Sequence, residues 1–130
     1  MKKLVLLFLL ISSSLFGELL NQYPSLKLLS DNTPIVDIRT PGEWKETGLI
    51  KGAIPIMFWD ERGTVDVNGF LKELNQKVDT TKTFAIICRT GNRTKVLAGF
   101  LSNKLHYKVI NVTGGMMMVK AKNLPIVPYK

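Results

Sequence analysis

Phe84-Ala85-Ile86-Ile87-Cys88-Arg89-Thr90-Gly91-Asn92-Arg93-Thr94 is the run from which the architecture of this chain can be read. Four successive apolar residues, two of them β-branched, fit a strand covered on both faces. Cys88 stands at its carboxyl end, and Arg89 to Asn92 form a short polar turn around Gly91. From Arg93 to Leu105 the apolar residues recur at helical spacing, with Val96, Leu97, Phe100 and Leu101 read as one side. Strand, tight turn and helix in this order make the unit of a parallel α/β sheet. In such sheets ligands bind at the carboxyl ends of the strands, which is where Cys88 falls.

The flanking sequence repeats the alternation. Upstream, Ile35-Val36-Asp37-Ile38 reads as a strand, and Thr40-Pro41-Gly42-Glu43 reads as a helix start. There Thr40 can cap, Pro41 suits the first helical position and Glu43 completes a capping box. Gly48 ends that helix, and a turn at Lys51-Gly52 leads into a short strand near Ile54. Phe70, Leu71, Leu74 and Val78 share a helical face. Downstream, Lys108 to Val112 is a strand, Gly114-Gly115 breaks it, and Met116 to Lys122 is a final helix. Leu19 to Leu29 has apolar residues at helical spacing, broken by Pro24. The sum is one α/β domain over residues 18–130, with a mainly parallel central sheet flanked by helices on both faces.

Cys88 is the sole cysteine of 130 residues, so it is a buried inert residue, an intermolecular partner or a reactive thiol. A small apolar residue ending a core strand needs no function. That account leaves the flanking Arg89 and Arg93 and the Gly-Asn turn unexplained. Loop amides turned inward form an anion nest, the following helix points its positive end there, and both arginines add full charge. Each favours thiolate over thiol, the form that attacks sulfur and phosphorus centres.

The amino terminus carries a different signal. Met1-Lys2-Lys3 is positive, Leu4 to Ile11 is unbroken apolar sequence, and small serines lead to Gly17. This is the order of a secretory signal peptide, too short in its apolar run to span a bilayer that needs ~20 residues. Residues 1–17 are therefore expected to be removed on export to the periplasm, with no stable membrane insertion afterwards. The formal charge of +8 then becomes +6, since two lysines leave and no acid does. The basic residues are scattered and not interleaved with aromatics, which argues against a nucleic-acid platform. A single histidine, His106, makes no metal site, and no zinc spacing, phosphate-binding loop or dinucleotide fingerprint occurs. No cofactor and no metal are expected.

Three segments together resemble the rhodanese-homology domain over residues ~26–127. They are Asp37-Ile38-Arg39-Thr40-Pro41-Gly42-Glu43-Trp44 with Gly48 to Ala53, the loop Cys88 to Arg93, and Asn111 to Met116 with Leu124-Pro125. Leu49 stands where that family usually has His, Val119 near a usual Trp, and Asn123 near a usual Gly. The resemblance implies sulfurtransferase chemistry. Cys88 would be the catalytic nucleophile, carrying sulfur from an anionic donor such as thiosulfate to cyanide, a thiol or a protein acceptor. Arg89, Thr90, Gly91, Asn92 and Arg93 would bind substrate and persulfide through amides and charge. Asp37 and Arg39 would support the site as an ion pair. Two alternatives stay open: a sulfur carrier or partner-binding module with negligible turnover, and a phosphatase. Related cysteine phosphatases place one more residue between Cys and Arg than the four found here.

Overall fold

Five strands lie in one all-parallel sheet in a computed structural model that describes residues 16–130. In chain order they are β1 (Glu18–Gln22), β2 (Ile35–Asp37), β4 (Ile54–Pro55), β5 (Phe84–Ile87) and β6 (Lys108–Val112), arranged β1-β6-β5-β2-β4. Two-residue strands β3 (Leu49–Ile50) and β7 (Ile126–Val127) pair antiparallel beside it. The helices are α1 (Leu26–Ser30), α2 (Pro41–Thr47), α3 (Val67–Lys77), α4 (Asn92–Asn103) and α5 (Gly115–Ala121).

β5 holds the middle position because each of its residues is apolar and each is covered. Phe84 and Ile86 face Phe70 and Leu74 of α3 and Leu97 and Leu101 of α4. Ala85 and Ile87 face the opposite layer, with Leu28 of α1 and Met116 and Val119 of α5. Helices thus cover both faces, and each fully buried Leu, Ile or Phe contributes ~1.5–3 kcal/mol of transfer free energy. The consequence for function is positional. The carboxyl ends of β2 and β5 are neighbours, with Asp37 in register with Ile87, so the turns that follow them share one rim.

Two expectations needed correction. Leu19 and Leu20 belong to β1, not to a helix. The ladder with β6 outweighs a spacing that only mimicked helical periodicity, and both leucines stay largely exposed on this edge strand. Val96 points to solvent; the covered side of α4 is Thr94, Leu97, Ala98 and Leu101. The pairing of β3 with β7 was not foreseen, and it buries Leu49. The proposed leader lies outside the described residues except for Phe16 and Gly17, and β1 begins at the next residue.

Candidate active site

Cys88 leaves β5 fully buried, its Sγ receiving the Gly91 N–H at 3.2 Å and lying 3.5 Å from Thr94 Oγ1. The turn can close this tightly because Gly91 adopts φ 98°, a left-handed conformation that favours glycine. Gly91 is also the N-cap of α4 and offers no side-chain cap, so the first turn of a twelve-residue helix has no side-chain acceptor from its cap. Thr90 and Asn92 are exposed on the outside of the turn, as is Arg89. Of the five residues expected to cradle the sulfur, only Gly91 donates to it here.

Arg93 is turned elsewhere. Its guanidinium forms a two-pronged pair with Glu43, Nη1 to Oε1 at 2.8 Å and Nη2 to Oε2 at 2.7 Å. Glu43 also completes the capping box with Thr40. One carboxylate therefore ties the start of α2 to the start of α4. Burial pushes the Glu43 carboxyl up, but the hydrogen bonds and charge of Arg93, with the Thr40 bonds, outweigh it and hold the group below its ordinary value. The hydrogen bond that Arg93 donates to Glu43 raises Arg93 in turn, against the opposing effect of burial. The reading of Glu43 as a helix cap was thus incomplete. The fifty-residue separation of this pair hides it from local pattern.

Asp37 and Arg39 are both buried and form the ion pair that closes the first corner. Asp37 accepts from Arg39 Nε at 2.9 Å and Nη2 at 2.7 Å, from the Arg39 amide at 3.1 Å and from Trp44 Nε1 at 3.1 Å. The rest of the guanidinium donates to Thr47 Oγ1 and to the Gly48 carbonyl. Two charges in a dry interior are tolerable only with their polar atoms satisfied in this way.

The backbone of Cys88 is held from behind. Met116 N–H donates to the Cys88 carbonyl at 2.8 Å, and Met117 N–H to the Arg89 carbonyl at 3.0 Å. This approach needs Gly115, at φ 58°, because a Cβ there would sit 2.5 Å from the Cys88 oxygen. Asn123 takes φ 54° at the position where the resembled pattern has Gly.

A groove of about 520 Å³ runs beside the loop between α2 and α5. Glu43, Glu46 and Arg89 mark its polar rim, and Met116, Met117 and Ile126 its apolar wall. Cys88 does not line it, so the sulfur lies behind the loop and not in the open groove. Among the described residues His106 is exposed at a left-handed turn. No helix of these residues is long and apolar enough to cross a membrane.

Comparison with known proteins accords with this geometry. A family model described as rhodanese-like domain matches residues 23–122. An uncharacterized protein of Rickettsia prowazekii is 29% identical over 94 residues, covering 70% of this chain and 75% of that protein. The crystal structure of a Mycobacterium (M. tuberculosis) protein superposes with TM-score 0.61 at 25% identity, covering 76% of this chain and 80% of that one. A Rhodopseudomonas palustris structure described as a protein of unknown function and possible tyrosine phosphatase gives TM-score 0.61 at 26% identity, covering 85% of both chains.

Proposed function

This chain belongs to the rhodanese-like domain family, and from that membership we propose that it is a sulfurtransferase carrying sulfane sulfur on Cys88. In the first half-reaction the Cys88 thiolate attacks the outer sulfur of an anionic donor such as thiosulfate. The donor S–S bond breaks, sulfite leaves with the electron pair, and a Cys88 persulfide remains. In the second, an acceptor thiolate or cyanide attacks the outer sulfur. The persulfide S–S bond breaks and the Cys88 thiolate is returned. No outside oxidant or reductant is needed.

The observation that carries this reading is the position of Sγ at the end of β5, under the Gly91 N–H and beside the first turn of α4. Anionic sulfur there meets an N–H donor and the positive end of a helix. Cys88 is fully buried, with the Gly91 N–H of the Arg89–Asn92 turn on its Sγ. Arg89 and Lys120 line the groove without an acidic partner among the described residues and would guide the anion, and Arg93, held by Glu43, orients the turn. The groove supplies room for an acceptor thiol beside the loop.

Burial of Cys88, with Leu49 and Val119 buried where the family pattern has polar or aromatic groups, favours a carrier with slow release as the second reading. A phosphatase reading is disfavoured by the four-residue spacing and by the engagement of Arg93 with Glu43. Purified protein incubated with thiosulfate should gain one sulfur by intact mass and produce thiocyanate with cyanide, and Cys88→Ser should do neither. Mass gain without thiocyanate would select the carrier; no mass gain with any sulfane donor would sink the sulfur reading. Export to the periplasm with cleavage after Gly17 is part of the same proposal. It leaves β1 whole, since the Glu18 nitrogen already donates to the Tyr107 carbonyl. Amino-terminal sequencing of the periplasmic protein should begin at Glu18.

A further inference from the structure

A buried polar chain leads away from the nucleophile to the edge of the sheet. Thr94 Oγ1, on α4, is 3.5 Å from Cys88 Sγ and donates to Asn111 Oδ1 at 2.6 Å. Asn111, on β6, donates through Nδ2 to Asn21 Oδ1 at 3.0 Å, and Asn21 is its register partner on β1. Thr94 is fully buried and Asn111 is 4% exposed. A polar Thr and a polar Asn under a covered sheet face carry a desolvation cost, which a purely packing role would avoid with Val at either position.

A threonine hydroxyl has one proton to give. Three acceptors surround it: Asn111 Oδ1 at 2.6 Å, the Gly91 carbonyl at 3.3 Å and Cys88 Sγ at 3.5 Å. In the arrangement seen, Asn111 takes it, because the Asn111 amide is directed to Asn21 and leaves only its oxygen toward Thr94. The Thr94 oxygen then faces Sγ as an acceptor, which suits the thiol S–H. An anionic sulfur requires the reverse, with the Thr94 proton turned onto Sγ to join the Gly91 N–H as a second donor.

We propose that Thr94 and Asn111 are positioning residues for Cys88: the Thr94 hydroxyl is the second hydrogen-bond donor to anionic sulfur, and Asn111 competes for that proton and holds the resting thiol. The charged groups around this sulfur are Arg89 of the turn, Arg93 of α4 with its partner Glu43 of α2, and Asp37 at the end of β2 with its partner Arg39. Neither substitution below removes any of them. The inference rests on the sulfurtransferase reading only in calling Cys88 the nucleophile. Its test reads the thiol directly and is independent of turnover.

The test is the pH profile of iodoacetamide alkylation of Cys88 in the full protein, with intact mass as readout. Thr94→Val removes the donor at nearly constant shape, and its midpoint should move up by about one pH unit, the size expected for one hydrogen bond to a charged group. Asn111→Val removes the competitor and frees the Thr94 proton, so its midpoint should move down by a similar amount. Thr94→Ser keeps the hydroxyl and should superpose on the parent. Opposite shifts of the two valine variants support the proposal. Unshifted profiles, or shifts in one direction for both, overturn it. Should Thr94→Val not fold, Asn111→Val decides alone: a lowered midpoint supports the competition, and an unchanged or raised one overturns it.

Discussion

Two strand-to-helix corners stand side by side on the rim of the sheet, and they are built on opposite plans. The first runs from Asp37 at the end of β2 into α2; the second runs from Cys88 at the end of β5 into α4. In the first, a buried carboxylate is saturated by the Arg39 fork, an amide and the Trp44 indole, and the helix is closed by a capping box. In the second, one N–H reaches the sulfur, the helix cap is a glycine without a side chain, and the turn residues face water. The Glu43–Arg93 pair bolts the sparse corner to the saturated one. The difference separates two demands. The first corner uses up its donors, whereas the second leaves Arg89, Thr90 and Asn92 exposed, as the proposed sulfur chemistry would need.

The largest test of this contrast lies in the saturated corner. Asp37→Ala strands the Arg39 charge in the interior and should cost about 3–5 kcal/mol in urea unfolding. A loss below 1 kcal/mol would mean that the first corner is not the rigid frame. Next comes the clamp on the Cys88 backbone. Gly115→Ala forces a Cβ onto the Cys88 carbonyl and keeps a positive φ, so it should cost about 1–3 kcal/mol. Sulfur loading of Cys88, followed by mass, should slow about ten-fold if about 1.4 kcal/mol of that strain is felt at the loop. Unchanged loading would show that the loop backbone does not depend on α5.

Smaller still is the bolt between the corners. Glu43→Gln should remove about 1 kcal/mol or less, as for a partly exposed ion pair. Its pH dependence has a definite sign. The folded carboxyl lies below its ordinary value, so its contribution is complete above the unfolded value of ~4.3 and is lost as pH falls through the lower folded one. The stability difference between parent and Glu43→Gln should therefore shrink on acidification below about pH 4 and stay flat between pH 6 and 8. The smallest effect is expected at Val96, which is 66% exposed. Val96→Lys should change stability by less than about 0.5 kcal/mol.

Val96 also marks how far local sequence could be read. The β5–loop–α4 unit was legible because a buried strand shows as an unbroken apolar run and the turn announces itself with Gly91. The Thr40 capping box was legible because its partners lie three residues apart. Which side of α4 is covered was not, since Val96 and Ala98 exchange roles against a simple apolar count. β1 was misread because an edge strand need not alternate apolar and polar residues; Leu19 and Leu20, on opposite faces, both stay partly exposed while the backbone pairs with β6. Within the site, Asp37, Arg39, Cys88 and Arg93 could be singled out by type and order. Three relations could not: Glu43 with Arg93, Thr94 with Asn111, and Gly115 against Cys88. Each joins segments that only the folded sheet brings together.

That dependence has a consequence in time. The first strand of the domain finds its partner close to the far end of the chain: Asn21 bonds to Asn111 across ninety residues. The backbone behind Cys88 waits longer, for the amides of Met116 and Met117. A chain leaving a ribosome amino terminus first therefore exposes its cysteine well before the clamp on the backbone behind it can form. Long-range closure of this kind makes for slow, late folding. An unfinished copy that ends before Met116 therefore carries Cys88 without the two amides that hold its backbone in the finished domain.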